Sequence, residues 1–283
     1  MIEWLLTPLA YTFMQRGMLA ALMVGVLCSI VGCYVVLRSM AFLGDAMAHA
    51  VLPGVAIAYL LGGNLVFGAL AAAVVVALSI SFFSRKGVIK EDTAIGILFT
   101  AALALGIALI SSIRTYAVDL SHILFGNVLG VSESDLWLTA AIGVVILVVT
   151  FLSYKPFLLI SFDPVLAATL RVNVEFFRTL MLVLLAFTIV VSIQTVGVGL
   201  VAAMLVTPGA TAFLLTRRLP AMMVVSAIVG AVSSLVGLYA SYYLNIASGA
   251  AVVLTATFCF LLAFLFSPSR GFVWEQLRQR SAA

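Results

Sequence analysis

The chain has 283 residues, of which 65% are hydrophobic and only 8% are charged. A soluble domain of this size needs more charge to cover its surface, so the composition excludes an ordinary soluble protein. The formal net charge of +4 comes from basic residues scattered among connectors. They form no dense basic patch, which argues against nucleic acid as a partner.

The apolar residues form long blocks of about 20 residues, the length that crosses a bilayer as a helix. The short alternating segments of a transmembrane barrel are absent. The sequence therefore predicts an all-α membrane protein, a polytopic bundle of eight or nine transmembrane helices in a single domain, 1–283, with a spanning core at 16–270. The turns at 62–64 and 197–199 are so tight that the number of spans, eight or nine, stays open. The candidate spans lie near 17–37, 42–61, 64–84, 93–113, 135–154, 177–196, 198–216, 221–243 and 249–267.

The second predicted span carries a carboxylate and an imidazole, Asp45 and His49. An ionised carboxylate at the centre of a span costs about 2.5–3.5 kcal/mol on insertion scales, so it normally faces a cavity or a partner. Residues at i and i+4 share one helical face, about 5–6 Å apart at Cβ. Together they could bind one divalent cation such as Mn²⁺, Fe²⁺ or Zn²⁺. Two ligands do not complete a site, so the rest must come from a second subunit, water or another helix.

Two structural interpretations of the same pair remain open. An Asp–His hydrogen bond could simply tie two helices together, or Asp45 could pair with Arg38 near the headgroups. The small neighbours of the pair would let another helix approach closely. Pro53, one turn beyond His49, frees a backbone carbonyl and is a candidate hinge.

Two connectors are longer than turns. The first, 114–134, contains His122, which could guide cations or simply be solvated. The second, 155–178, contains the segment 161–172, which predicts a short helix over 165–172, capped by Asp163 with Pro164 at its first position. Its apolar face could rest on the membrane surface or dock into a groove on a partner protein. Further along, Pro208 should kink the seventh span and is a second candidate hinge.

The distribution of Lys and Arg predicts the orientation. With a cytoplasmic C-terminus, 12 of the 14 basic residues lie inside, and two, Arg16 and Arg114, lie outside. The positive-inside rule then favours an odd number of spans, a multi-pass inner (plasma) membrane protein and an external N-terminus. The inside set comprises Arg38, Arg85, Lys86, Lys90, Lys155, Arg171, Arg178, Arg217, Arg218, Arg270, Arg278 and Arg280.

The sequence lacks a phosphate-binding GxxxxGK[ST] motif and the hydrolase signatures GxSxG and HExxH. Any energy input would therefore come from another chain or from an ion gradient. A gradient-driven divalent-cation carrier and a metal-dependent membrane enzyme remain open as functions. An enzyme would need more metal ligands and an activated water.

Residues 38–54 read RSMAFLGDAMAHAVLPG and resemble the signature of the metal-importing ABC permeases, the zinc and manganese family. The resemblance continues through KEDTAIGILF (90–99), SHILFGN (121–127), SFDPVLAATL (161–170) and AMLVTPGATA (203–212), and so covers nearly the whole chain. Two departures are Ala48, where many members have Ser, and Gly209, where others have Ala. The second could loosen the kink at Pro208.

This resemblance implies a homodimeric permease, not an enzyme, that works with a separate ATPase subunit and an extracytoplasmic solute-binding protein. The family's metal-contacting residues correspond to Asp45 and His49. The wording of the motifs is closest to the manganese branch, with zinc and iron as alternatives. No cofactor would be bound permanently, and the partner subunit would use the ATP. The family's coupling helix, which docks on the ATPase, corresponds to the segment with Asp163, Pro164, Leu166, Ala167, Leu170 and Arg171.

Overall fold

The computed structural model describes residues 7–85, 89–112 and 130–267, and the regular structure of these residues is helical throughout. A short 3-10 turn at Pro8–Ala10 precedes the first helix. The helices are α1 (Thr12–Leu37), α2 (Phe42–Ala50), α3 (Leu52–Leu60), α4 (Leu65–Ser84), α5 (Glu91–Ser111), α6 (Glu133–Leu152), α7 (Tyr154–Phe162), α8 (Pro164–Thr169), α9 (Val174–Val196), α10 (Val198–Leu215), α11 (Leu219–Leu244) and α12 (Ser248–Phe266).

The described residues contain nine helical segments long and apolar enough to cross a membrane, with α2 and α3 together forming the second. This confirms the predicted all-α membrane architecture and favours nine spans over eight. Both tight turns separate full spans, and each contains a glycine with positive φ, Gly62 at 66° and Gly197 at 84°. Glycine adopts this left-handed backbone without the steric penalty that a Cβ brings.

The second span is interrupted where the sequence predicts a bend. Helix α2 ends at Ala50, Val51 joins the two pieces, and α3 begins at Leu52 with Pro53 in its first turn. A proline there removes an N–H that would have no partner inside the helix, so it breaks the span at little cost. The interruption comes directly after His49.

Helix α1 lies in the centre of the bundle and packs against α6, α9, α10 and α11. Small residues allow the close approach: a Cβ added at Gly230 of α11 would lie 2.6 Å from the carbonyl oxygen of Gly25 in α1. The Ser226 and Ser234 hydroxyls donate hydrogen bonds of 2.9 Å to backbone carbonyls of α1. Close backbone contact and interhelical hydrogen bonds are what hold helices together when lipid is the solvent.

Candidate metal-binding site and docking segment

Asp45 and His49 lie in the first and last turns of α2, on one face as predicted. His49 Nε2 is 3.7 Å from Asp45 Oδ1, which is too long for a hydrogen bond. The Asp–His hydrogen bond, one of the two structural interpretations of the pair, is therefore not formed. Both atoms could contact a single ion, because 3.7 Å is less than twice a metal–ligand distance of about 2.1 Å.

The two side chains point away from the core of the chain. The side chain of Asp45 is 46% exposed and that of His49 is 28% exposed, whereas Ala46, Met47 and Ala48 between them are buried. Helix α2 packs this buried face against α9 and α10. The single chain thus leaves a carboxylate and an imidazole open on its surface at membrane depth.

The depth of the pair follows from its position in the span. The second span starts at Phe42 and has 19 residues, so it is about 28 Å long at about 1.5 Å per residue. Asp45 and His49 lie about 5 Å and 10 Å from its start by the same measure. They therefore occupy the half of the span that is nearer to Arg38.

Helix α5 forms a wall beside the pair. The ring of Phe99 lies 6.1 Å from the His49 ring, centroid to centroid, at an angle of 50°. The same ring meets Phe42 edge-on at 5.7 Å. Phe99 therefore contacts α2 on both sides of Asp45 along the chain, and its contact with His49 restricts the orientations of the imidazole.

Arg38 does not pair with Asp45, so that interpretation of the sequence is wrong. Its Nη2 atom lies 2.7 Å from Glu91 Oε2, and Nε of Arg178 lies 3.3 Å from the other carboxylate oxygen. Burial lowers the pKa of the Arg38 guanidinium, and the adjacent Glu91 carboxylate opposes that shift. Sequence reasoning missed this three-residue cluster because it placed Glu91 in a connector.

Within the three described segments, no group of three or more His, Cys, Asp and Glu side chains is arranged to hold a metal ion. One chain thus offers Asp45 and His49 as a pair. His122 and the motif at 121–127 lie outside the described residues.

The predicted capped helix in the second long connector is present as α8. Asp163 Oδ1 accepts hydrogen bonds of 2.9 Å from the amides of Val165 and Leu166, and Pro164 is the first helical residue. The predicted extent to residue 172 is wrong, because α8 ends at Thr169. Arg171 adopts a left-handed backbone with φ of 59°, and its amide and the next one bond back to helix carbonyls, which closes the helix.

The outer face of this segment is apolar and exposed. Val165 is 73% exposed, Leu166 47% and Leu170 60%, while Ala167 is fully buried on the inner side. The segment from Asp163 to Arg171, here called the docking segment, packs against α7 and α9. Among the described residues, the segment thus leaves an apolar surface exposed.

Pro208 lies inside α10, which continues through it from Val198 to Leu215. Its role as a hinge stays a prediction. Packing explains the glycine at the neighbouring position 209. A Cβ on Gly209 would lie 3.1 Å from Val36 Cγ2 and 3.3 Å from the backbone of Gly32 in α1. Glycine at this position lets α10 lie against α1.

The chain is similar to known membrane transport proteins. The family described as the ABC 3 transport family matches residues 10–267. The manganese transport system membrane protein MntC of Halalkalibacterium halodurans is 49% identical over 274 residues, covering 97% of this chain and 94% of MntC. A probable iron transport system membrane protein of Haemophilus influenzae is 42% identical over 271 residues, covering 96% of each chain.

The solved structures include a similar protein. The structure of PsaBC from Streptococcus pneumoniae in complex with Fab matches with a TM-score of 0.85 and 39% sequence identity. The match covers 99% of this chain and the whole of that chain. The similarity thus spans all the described helices, including the interrupted second span and the docking segment.

Proposed function

The chain belongs to the ABC 3 transport family, and on that basis we propose that it is the permease subunit of an ATP-driven importer of Mn²⁺. The observation that carries the proposal is the Asp45–His49 pair, which is open on the protomer surface within a membrane span. A charged side chain at that depth is costly to insert, so its retention indicates a use in moving an ion.

The choice of metal is supported by ligand chemistry and by relatives. A carboxylate oxygen and an imidazole nitrogen suit divalent ions of the first transition row, including Mn²⁺, Fe²⁺ and Zn²⁺. Relatives over 40% identical along most of the chain are named as manganese transport proteins, and others as probable iron transport proteins. We therefore place Mn²⁺ first, with Fe²⁺ and Zn²⁺ as the alternatives.

The site is completed by a second copy of the chain. A two-fold axis beside the exposed face of α2 would bring four side chains to one ion, an Asp45 and a His49 from each protomer. Four ligands with water suffice for a transport site, which must bind weakly enough to release the ion. The metal pathway then runs along the dimer axis.

The remaining partners follow from the same proposal. An ABC ATPase subunit binds the docking segment of each protomer, and a solute-binding protein delivers the metal at the outer end. The chain is a single permease domain, 1–283, in lipid of the plasma membrane, with the Arg38 side and the C-terminus in the cytoplasm. ATP binding to the partner moves the docking segment and shifts the spans around the metal, with Pro53 and Pro208 as hinges.

The test is metal uptake into liposomes that contain the permease and its ATPase, with the solute-binding protein supplied outside. We expect Mn²⁺ uptake that requires ATP and stops when the ATPase is omitted. Uptake driven by an ion gradient without the ATPase would favour a carrier instead. Parallel assays with Fe²⁺ and Zn²⁺ rank the three metals. Absence of uptake for all three would contradict the proposal.

The N-cap of the docking segment should contribute measurably to helix stability and to ATPase binding. Replacing Asp163 by Ala removes two hydrogen bonds from a helix of six residues and should cost about 1 kcal/mol of helix stability. Less ATPase should then co-purify with the permease, and uptake should fall about fivefold at limiting ATPase, as that free energy predicts. Asp163→Asn is the matched control, since asparagine caps as well as aspartate does. Equal ATPase binding by the Ala and Asn variants would contradict the prediction.

A further inference from the structure

The cluster of Glu91, Arg38 and Arg178, here called the Glu91 bridge, joins three helices near the inner ends of the spans. Glu91 is the first residue of α5, Arg38 directly follows the last residue of α1, and Arg178 lies in the first turns of α9. The carboxylate contacts one arginine with each oxygen. All three side chains are less than a fifth exposed.

A buried ion-pair cluster of this kind adds little to the net stability of a fold. Removing charges from water is costly, and apolar residues of similar size often stabilise such a position equally well. Within the described parts of the chain, two arginines share one carboxylate here, so the cluster also carries a net positive charge. Its retention indicates that the connection it makes is used, because a packed apolar contact would hold the helices as firmly.

One side of the bridge leads to the docking segment. Phe157 in α7, two turns before Asp163, packs edge-on against Tyr34 of α1 at 5.5 Å between ring centroids. It also packs against Phe177 of α9 at 6.1 Å. Tyr34 lies one turn before Arg38, and Phe177 directly precedes Arg178. A displacement of the docking segment is therefore transmitted to both helices that carry the arginines.

The other side of the bridge leads to the metal. Glu91 begins α5, and about two turns further along the same helix Phe99 contacts His49 and Phe42. A helix transmits a displacement along its axis, because its hydrogen bonds keep about 1.5 Å per residue. The residues from Phe157 to Phe99 thus form one contiguous set of contacts from the docking segment to the imidazole.

We propose that Glu91 is a positioning residue: it couples movement of the docking segment to the α5 wall that orients His49. The proposal rests on the proposed function, since it requires an ATP-driven importer with its metal at Asp45 and His49. Breaking the bridge leaves the metal site and the ATPase intact but disconnects ATP hydrolysis from movement of the ion.

The test replaces Glu91 by Gln and measures Mn²⁺ ions imported per ATP hydrolysed by the complete reconstituted complex. We expect this ratio to fall about tenfold, within the range that coupling residues show, while Mn²⁺ affinity and ATP hydrolysis persist. Glu175→Gln is the matched control. Glu175 of α9 also pairs with an arginine, Arg85 at the end of α4, at 3.1 Å, but these two side chains are 39% and 64% exposed. The control should keep the wild-type ratio.

A second variant guards against a folding defect, because Glu91→Gln leaves two buried arginines without their carboxylate. Arg178→Gln keeps the Arg38–Glu91 ion pair, whose two charges cancel, and breaks only the link to α9. This variant should assemble and lower the number of Mn²⁺ ions imported per ATP by a smaller factor. A wild-type ratio in both variants would overturn the proposal. Failure of both to assemble would also overturn it, by showing a structural role. Absence of ATP-dependent import by the wild type would instead reject the proposed function itself.

Discussion

Replacing Asp45 by Asn is expected to abolish metal uptake while leaving the complex assembled and able to hydrolyse ATP. Asparagine keeps the size of the side chain but removes the charge that attracts a divalent ion. In a symmetric dimer the change neutralises two of the four protein ligands at once. A loss of only about 1.4 kcal/mol at the rate-limiting step already lowers the rate about tenfold, and the loss of two carboxylates should exceed it. His49→Ala should have a similar effect, because it removes both imidazoles.

The control for these variants is Asp92→Asn, which changes an exposed carboxylate in the first turn of α5. Its uptake should remain close to that of the wild type. Initial rates of Mn²⁺ uptake, with ATP hydrolysis measured in the same liposomes, separate a defect in the metal site from a defect in assembly. Normal uptake by a correctly inserted Asp45→Asn protein would refute the assignment of the site.

A mixed dimer tests whether the two protomers share one ion. Co-expression of differently tagged chains yields dimers with one wild-type and one Asp45→Asn protomer. If each chain bound its own ion, such dimers would keep roughly half of the activity, because a two-fold assembly has two equal subunits. A shared site predicts far less than this, since the single ion has lost one of its two negatively charged ligands. Retention of half the activity would exclude the dimer-axis pathway.

The spans and the juxtaposition of Asp45 and His49 could be predicted because both depend on local sequence. A bilayer requires about 20 apolar residues, which marks each span directly, and spacing i, i+4 places Asp45 and His49 on one face in any helix. The cap by Asp163 was predictable for the same reason, since it involves the next three residues only.

The Glu91 bridge could not be predicted in this way. Arg38 is 53 residues from Glu91 in the sequence and Arg178 is 87 residues from it, so their contacts depend on the packing of three helices. The end of α8 was also not predicted, because Arg171 adopts a left-handed backbone that usually occurs at Gly, Asn or Asp. A signal for the bridge did exist: an acidic residue at the start of a span needs a partner once the helix end is buried.

Substituting Gly54 by Ala is expected to cause the largest loss of stability among single methyl additions near the site. A Cβ at Gly54 of α3 would overlap the backbone carbonyl of Gly68 in α4, and a Cβ at Gly68 would meet Gly54 in turn. Two backbones in contact have no side chain that can move aside, so the helices must separate. Overpacking of this kind costs about 1–3 kcal/mol. Thermal unfolding of the detergent-solubilised protein should show a lower midpoint.

The matched control for Gly54 is Gly96→Ala in α5, where an added Cβ meets nothing within 4 Å. Since alanine is about 1 kcal/mol better than glycine inside a helix, this variant should be as stable as the wild type or more so. An equal or higher midpoint for Gly54→Ala would show that α3 and α4 do not meet closely in the membrane. Because α3 begins three residues after His49, separation of these helices should also lower Mn²⁺ affinity. The two measurements therefore connect the packing of the interrupted span to the geometry of the metal site.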